Sequence, residues 1–184
     1  MARAGTPAYE RPFGDRYTTA DQLRLEDQLL RAGGWQVPSL MSAERAHELL
    51  RQTGWAGRLN EGQRSAVAGM ASSPRFMSLT SGPAGTGKTT MLNAFREIIE
   101  ANGGRVVAVA PSSVAAQQLK SQGGFTEAHN TAQWLGKIEG TCRTRPHMPI
   151  GRGDVLVLDE ANMASNRDLA GITGVRGIHL TGLE

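Results

Sequence analysis

The sequence predicts an α/β fold in which helices flank a parallel β-sheet. Short apolar runs that suit buried strands, such as 106–110 and 155–158, alternate with segments of helical periodicity. Strands that alternate with helices form parallel sheets with right-handed crossovers. Glycine-rich or polar segments follow directly after three of the predicted strands. Because ligands bind beyond the carboxyl ends of parallel strands, we expect these segments to lie on one rim of the sheet.

Length and composition fit one α/β domain with a small appendage. The 184 residues are 39% hydrophobic and 5% aromatic, with a formal charge of +3, which permits contact with nucleic acid without requiring it. The single cysteine, Cys142, excludes an internal disulfide framework and suits a reducing compartment. No run approaches the roughly 18 apolar residues that span a bilayer. We therefore expect a cytoplasmic protein without a membrane partner.

The first part of the chain is predicted to be a lead followed by a helical segment. Residues 1–17 are rich in Gly, Pro, Arg and Tyr without periodicity, which is typical of a flexible lead. Segment 18–58 contains two predicted short helices. The first begins at a hydroxyl cap, Thr18 or Thr19, and the second begins near Ser42. Neither is long enough to be stable alone, so each must pack on a neighbour.

Residues 59–184 are predicted to be the α/β domain itself. Capping residues, apolar periodicity and glycine or proline breaks set the expected elements. Helices are expected from Asn60 to about Ser72, at 114–120 and at 130–135, and one further helix is expected directly after a glycine-rich segment. Strands are expected at 76–80, 106–110 and 155–158. The basic, Gly- and Pro-containing stretch 136–153 is predicted to be a loop.

The glycine-rich segment matches the pattern GxxxxGK[ST] of a phosphate-binding loop. It follows a short apolar run and leads into a helix, which is the context that the pattern requires. The glycines let backbone N–H groups approach a phosphate, the lysine reaches the β- and γ-phosphates, and the hydroxyl that follows can ligate Mg²⁺. The candidate residues are Gly82, Gly85, Thr86, Gly87, Lys88, Thr89 and Thr90. The segment predicts a P-loop NTPase, or RecA-like, fold that binds ATP with Mg²⁺.

Two adjacent carboxylates, Asp159 and Glu160, follow the apolar run 155–158 directly. In this Walker B arrangement Asp159 holds Mg²⁺ and Glu160 polarises the water that attacks the γ-phosphate. The second carboxylate favours hydrolysis over transfer to a small-molecule acceptor. The alternative is that the acidic pair only caps the next helix.

Ahead of the P-loop, Gln63 allows two interpretations. Its amide can read the adenine edge with one donor and one acceptor. Asn60 with Gln63 three residues later also has the spacing of a capping box at a helix N-terminus. Composition and spacing leave the two equally open.

Taken together, these residues resemble the first motor domain of RecD-type superfamily-one DNA helicases, and more narrowly the helicase part of bacterial conjugative relaxase-helicases. The resemblance covers roughly 59–163. It is carried by the glutamine motif at Gln63, motif I at 82–90, motif Ia at 110–116, a motif Ib-like segment at 128–135 and motif II, Asp-Glu-Ala-Asn-Met, at 159–163.

The resemblance implies roles that the residues alone leave open. It implies that Gln63 contacts adenine and that motifs Ia and Ib contact single-stranded DNA, with Ser112, Ser113 and Thr131 facing the strand. Short hydroxyl side chains, or the N–H groups beside them, suit sequence-blind contact with phosphate. Trp134 is expected to be a core aromatic rather than a platform for bases.

The sequence departs from this family after motif II. A GDxxQ-like motif III is expected soon afterwards, but 179–184 reads His-Leu-Thr-Gly-Leu-Glu. The second motor domain, with its charge-neutralising arginines, and the paired tyrosines of a relaxase are not found in this sequence. We therefore expect a first motor domain that is incomplete at its C-terminus, with weak or no hydrolysis on its own. If a final strand is missing, the sheet has an exposed parallel edge.

Two other functions stay open from the sequence. A small P-loop kinase would transfer the γ-phosphate to an acceptor, although Glu160 and the lack of an evident lid segment disfavour it. A non-catalytic helicase remnant would keep the fold and act only as a binding module. Oligomeric state, translocation polarity and DNA or RNA preference are not indicated.

Overall fold

The computed structural model of the chain describes residues 18–81, 87–138, 153–174 and 179–183. The helices are α1 (Ala20–Gly33), α2 (Ala43–Gln52), α3 (Glu61–Ser72), α4 (Lys88–Ala101), α5 (Ser113–Ser121), α6 (Thr131–Ile138) and α7 (Asn166–Thr173). The strands are β1 (Met77–Thr80), β2 (Val106–Ala110), β3 (Ala128–Asn130), β4 (Val155–Leu158) and β5 (His179–Leu183). The predicted lead 1–17 and most of the basic loop, 139–152, lie outside the described residues.

The five strands form one parallel sheet in the order β1-β5-β4-β2-β3. Leu180 of β5 stands opposite Met77 of β1 and Leu156 of β4, and Val109 of β2 stands opposite Leu158. All four pairings are parallel, as expected for strands joined by helical crossovers. The predicted α/β fold class is confirmed.

The sequence analysis did not predict β5. Residues 179–183 form a strand that pairs on both sides, with β1 and with β4. Among the described strands the outer positions belong to β1 and β3. The strand was missed because His179, Thr181 and Gly182 interrupt its apolar pattern. Yet His179 and Thr181 are both buried.

Two hydrophobic clusters cover the two faces of the sheet. One cluster joins the sheet to α2, α3, α4 and α5 and includes Leu50, Phe95 and Ile98. The other joins the sheet to α1, α6 and α7 and includes Trp134 and Ile172. Trp134 is only 1% exposed, so the expectation of a core aromatic is confirmed.

The N-terminal helices are capped as their sequences indicate, and both pack on the sheet domain. Thr19 accepts a hydrogen bond from the Gln22 N–H at the start of α1, and Ser42 accepts from the Arg45 N–H at the start of α2. Helix α1 packs on α7, and α2 packs on α3 and α4. The predicted domain division at residue 59 stays a prediction.

A short extended segment before α2 lies antiparallel to the approach to β1. The Val37 N–H donates to the Pro74 carbonyl over 2.9 Å, and the Phe76 N–H donates to the Trp35 carbonyl over 3.0 Å. This segment satisfies backbone groups just before the outer edge of β1 begins. In the part of the chain that the structure describes, no helix is long and apolar enough to cross a membrane.

The central position of β5 predicts a large stability loss on truncation of its core side chain. Leu180 is 3% exposed, so Leu180→Ala should lower the free energy of unfolding by about 2–5 kcal/mol through lost burial and a cavity. Urea unfolding followed by circular dichroism measures this. The matched control is Leu30→Ala on α1, where the side chain is 78% exposed, with an expected change within about 0.5 kcal/mol. Equal effects of the two substitutions would contradict the central placement of β5.

Candidate nucleotide-binding site

The carboxyl ends of the strands bring the predicted site segments to one rim. Because every strand runs parallel, the segment between β1 and α4, the turn after β2 and the turn after β4 all leave the sheet on the same side. The Asp159 N–H donates to the Val109 carbonyl over 3.0 Å, so the Walker B turn continues the pairing of β4 with β2. The P-loop strand β1 is separated from β4 only by β5.

The end of the P-loop turns sharply into α4. Gly82, Gly85 and Thr86 lie outside the described residues. Gly87, the N-cap of α4, has φ +80°, a left-handed conformation that favours glycine. No side chain caps this helix, so its first N–H groups are not satisfied in that way. Such an N-terminus suits a phosphate, which can accept from these groups and is stabilised by the helix dipole.

Gln63 forms the capping box that its sequence allowed, and its side chain also lies beside the P-loop. Its Oε1 accepts from the Asn60 N–H over 3.0 Å, and its own N–H donates to Asn60 Oδ1 over 2.8 Å, which is a complete capping box. Its side chain also lies against the P-loop end, because a Cβ at Gly87 would stand 2.7 Å from Gln63 Nε2. The capping interpretation is thus confirmed. Contact of Gln63 with adenine stays a prediction. The side chain that would make this contact lies beside the P-loop.

The carboxylate of Asp159 is half-buried at the end of β4. Burial raises the pKa of this carboxyl above its ordinary value, and the Glu160 carboxylate raises it further, whereas the Glu160 N–H and the Lys88 ammonium lower it. The Glu160 N–H donates to Asp159 Oδ1 over 3.1 Å. Lys88 is therefore close enough to act electrostatically on Asp159. The two groups lie on the same side of the molecule, as a shared nucleotide site requires.

Glu160 has a strained backbone. Its φ of 53° makes it the one non-glycine residue with positive φ among those that the structure describes. A left-handed conformation costs a residue with a Cβ of order 1–3 kcal/mol and is concentrated at functional sites. It precedes a short 3₁₀ turn, Ala161–Met163, and its side chain makes no capping hydrogen bond to that turn. Capping alone therefore does not explain the acidic pair.

The predicted Mg²⁺ ligands supply only part of a coordination shell. In the described ranges no group of three or more His, Cys, Asp or Glu residues is placed to hold a metal. Mg²⁺ at nucleotide sites is typically bound by one or two protein oxygens, with phosphates and waters completing the octahedron. Thr89, exposed in the first turn of α4, and Asp159 fit that pattern. The chemistry of these donors therefore suits a magnesium-bound triphosphate better than a protein-only metal centre.

The three predicted DNA-contacting residues differ in what their side chains can reach. Ser112 caps α5, with its Oγ accepting from the Ala115 N–H over 3.1 Å, and Ser113 Oγ accepts from Asn130 Nδ2 over 2.6 Å. Both serines are exposed. Thr131, in contrast, is only 4% exposed and donates its hydroxyl to the Ala110 carbonyl over 3.1 Å.

The Thr131 hydroxyl is therefore used inside the protein, where it fastens the start of α6 to the end of β2. Contact of Thr131 with a DNA strand stays a prediction, and only its backbone is available for it. Sequence reasoning did not single out Asn130, whose side chain donates to the exposed Ser113 hydroxyl. The signal was available, since Asn130 and Gln133 have the same three-residue capping spacing as Asn60 and Gln63.

Comparison with known protein families identifies a family for most of the chain. The family model described as AAA domain matches residues 58–175, well over half of the chain. The chain belongs to the AAA domain family.

Relatives of this AAA domain protein act in bacterial conjugation, by their names. It is 32% identical over 156 residues to the conjugal transfer protein TraA of Agrobacterium fabrum. It is 32% identical over 155 residues to a probable TraA of Sinorhizobium fredii, and 30% identical over 172 residues to TraA of Rhizobium radiobacter. These alignments cover 84–88% of this chain but only 13–14% of the relatives. The resemblance to the helicase part of conjugative relaxase-helicases is confirmed.

The strained backbone at Glu160 predicts that glycine there stabilises the protein. Glu160→Gly should raise the free energy of unfolding by about 1 kcal/mol over Glu160→Gln, because both variants remove the charge but only glycine relieves the left-handed conformation. Urea unfolding of both variants in the absence of nucleotide measures the difference.

The control for this prediction lies in the same turn. Asn162 is exposed and has no positive φ, so Asn162→Gly should destabilise by about 0.5–1 kcal/mol. If both glycine substitutions lower the stability, Glu160 is not strained in solution.

The raised pKa of Asp159 predicts that Asp159→Asn stabilises the nucleotide-free protein at neutral pH. The unfolded state loses this proton near the ordinary value of 3.8, whereas the folded state keeps it to higher pH. Stability is thus lost as pH rises above 3.8 through the raised folded value, and the asparagine variant escapes that loss. The gain should be present at neutral pH and vanish below 3.8.

Urea unfolding in EDTA at a series of pH values tests this linkage. The control is Asp21→Asn in the exposed first turn of α1, which should give no such gain because the helix N-terminus favours a negative charge at that place. A stability gain at Asp159 that does not depend on pH would contradict the electrostatic explanation.

Proposed function

We propose that this chain is the ATP-binding part of a DNA-helicase motor of the conjugative relaxase-helicase or RecD type, and that it binds Mg-ATP and single-stranded DNA in the cytoplasm. The observation that carries the proposal is that Lys88 begins the helix after β1 and Asp159 directly follows β4, so both lie on one rim of a parallel sheet. A cation at a helix start and a half-buried carboxylate at a strand end are the two halves of a Mg-triphosphate site. The AAA domain match and the conjugal transfer relatives support it.

Each residue of the proposed nucleotide site has a role that its residue type and its place in the sequence motif support. The backbone of the P-loop, with Gly82, Gly85, Thr86 and Gly87, surrounds the phosphates, and Thr90 lies in the first turn of the helix that receives them. Lys88 contacts the β- and γ-phosphates, Thr89 and Asp159 hold Mg²⁺, and Gln63 contacts the adenine. When bound, Mg²⁺ neutralises charge that develops on the phosphates.

Glu160 is proposed to orient and polarise the attacking water. Its carboxylate is exposed on the rim beside Asp159, so it can accept a proton from water while Asp159 is occupied by the metal. Its left-handed backbone fixes the direction in which the side chain leaves the turn. A second carboxylate in this place favours hydrolysis over transfer to another acceptor.

Single-stranded DNA is proposed to pass over the ends of β2 and β3. Ser112, Ser113 and the first N–H groups of α5 supply donors for phosphate oxygens, which is sequence-blind contact. At Thr131 only the backbone is available for such contact, since its hydroxyl is used inside the protein.

We expect slow ATP turnover by this chain alone. The resemblance that covers 59–163 implies that the arginines which neutralise the γ-phosphate in the transition state come from a second motor domain. Such an arginine contributes roughly 10³–10⁵ in rate in related NTPases. Nucleotide binding is therefore a more direct test than hydrolysis.

Lys88→Ala should abolish or strongly weaken binding of Mg-ATP while leaving the fold intact. The lysine contributes its charge to the phosphates, so its loss should weaken binding by about tenfold or more. A fluorescent ATP analogue titrated in the presence of Mg²⁺ gives the affinity, and ligand-induced stabilisation in a thermal melt gives an independent reading.

The control is Lys120→Ala in the exposed last turn of α5, which removes the same charge far from the P-loop along the chain. It should bind the analogue as the wild type does. Equal binding by wild type and Lys88→Ala would refute the site assignment, and no binding by the wild type would refute the proposed function.

A further inference from the structure

We infer that Asn130 is a positioning residue that sets the direction of the Ser113 hydroxyl, so that this hydroxyl donates to a phosphate of a bound strand. The inference rests on the proposed contact of Ser112 and Ser113 with single-stranded DNA. It assigns a role to Asn130 that the motif resemblance does not supply. It also identifies the kind of ligand group to which the Ser113 hydroxyl donates, which is a hydrogen-bond acceptor.

The orientation of the Asn130 amide follows from its two partners. Asn130 is the last residue of β3 and directly precedes α6. Its Oδ1 accepts from the Gln133 N–H over 2.7 Å, so it caps α6 with its oxygen. A main-chain N–H can only donate, which assigns oxygen to that end of the amide and nitrogen to the other. The Nδ2 group must therefore point at Ser113 and donate to it, over 2.6 Å.

This donation decides what the Ser113 hydroxyl can still do. A serine hydroxyl has one proton to donate and accepts through its lone pairs. Because Ser113 Oγ accepts from Asn130, its own proton points away from the amide, and Ser113 is exposed to solvent. Ser112 Oγ likewise accepts inside the protein, from the Ala115 N–H. Both hydroxyls therefore offer donors to the outside, together with the N–H groups of the first turn of α5.

Exposed donors at a helix N-terminus favour an anionic acceptor. The non-bridging oxygens of a phosphodiester are acceptors without protons, and they carry negative charge that a helix N-terminus favours. The bases also offer acceptors, but none that is charged. The geometry thus suits the backbone of the strand, in agreement with sequence-blind binding.

Thr131 shows why the positioning must come from Asn130. The Thr131 hydroxyl donates to the Ala110 carbonyl, which ties the start of α6 to the end of β2. Asn130 then ties the same end of α6 to the first residue of α5. The two hydrogen bonds fasten α5, α6 and β2 together, so the Ser113 hydroxyl is held relative to the sheet as well as to its own helix.

The test compares variants of the whole chain in binding to a fluorescein-labelled oligo-dT strand by anisotropy at low salt. Ser113→Ala and Asn130→Ala should each weaken binding by about tenfold, since a hydrogen bond to a charged group is lost or misdirected. The double variant should bind no more weakly than Ser113→Ala alone, because Asn130 acts through Ser113. Ser113→Thr keeps a hydroxyl and should restore binding.

Asn130→Asp separates positioning from capping. The aspartate keeps an oxygen for the Gln133 N–H but loses the donor, so the Ser113 proton turns inward to the carboxylate. It should keep the stability of the wild type, yet weaken oligo-dT binding by at least as much as Asn130→Ala. Ser42→Ala is the control for stability alone, because it removes an N-cap of α2 far from the rim and should leave oligo-dT binding unchanged.

The outcomes separate this inference from the proposed function. No oligo-dT binding by the wild type refutes the DNA contact itself, and the positioning role with it. Wild-type binding that Ser113→Ala weakens but neither Asn130 variant changes overturns the positioning role alone. Additive losses in the double variant do the same, because Asn130 would then act independently of Ser113. A loss in Ser42→Ala equal to that in Asn130→Ala would assign the effect to stability and overturn the inference.

Discussion

The place of β5 between β1 and β4 is the constraint on which the candidate site depends. Neighbouring strands lie about 4.8 Å apart, so one intervening strand sets the ends of β1 and β4 about 10 Å apart. The helix that begins at Lys88 and the turn that begins at Asp159 start from those two ends. Without β5, β1 would lose its pairing with the sheet, because β5 is the only described strand that joins it to the rest. The fold and the candidate site therefore both depend on β5.

Several features of the rim are unfavourable for the protein on its own. A half-buried carboxylate next to another carboxylate, a left-handed glutamate and a helix start without a capping side chain each cost stability. A sequence under selection for stability alone would remove them by single substitutions. A magnesium-bound triphosphate offsets two of these costs at once, since the metal neutralises the acids and the phosphates accept from the helix N–H groups. Backbone strain and like charges that are concentrated at one rim are expected of a binding site without its ligand.

The parts of the fold that the sequence predicted well are those with a strong local signal. The runs 106–110 and 155–158 became β2 and β4 with unchanged bounds, because a short apolar run bounded by turn residues is typical of a strand buried on both faces. Helix starts followed from their caps at Thr19, Ser42 and Asn60. Strand β3 was missed because three residues carry no periodicity, and α7 because its eight residues have a weak apolar face.

Site residues were predictable where chemistry depends on residue type and harder where it depends on side-chain direction. Lys88 and Asp159 follow from motif and strand order, since a parallel sheet leaves only one rim for both. The inward direction of the Thr131 hydroxyl could not be predicted, because a motif identifies a position but not the direction of its side chain. Gln63 is a third case. The sequence offered helix capping and adenine contact as alternatives, but capping uses only part of the Gln63 amide. Its Oε1 caps α3 while its Nε2 lies against Gly87.

The rim divides into a charged half and a neutral half, and the division follows the strand order. Lys88, Asp159 and Glu160 stand over β1 and β4, whereas hydroxyls and an amide stand over β2 and β3. The two halves meet where the Asp159 N–H donates to the Val109 carbonyl. A change in charge or metal occupancy at Asp159 therefore acts on the turn that is bonded directly to β2, one residue before Ala110, to which Thr131 is fastened. Under the proposed function, this chain of hydrogen bonds would link the nucleotide site to the DNA contact, provided that the turn at Glu160 has two arrangements.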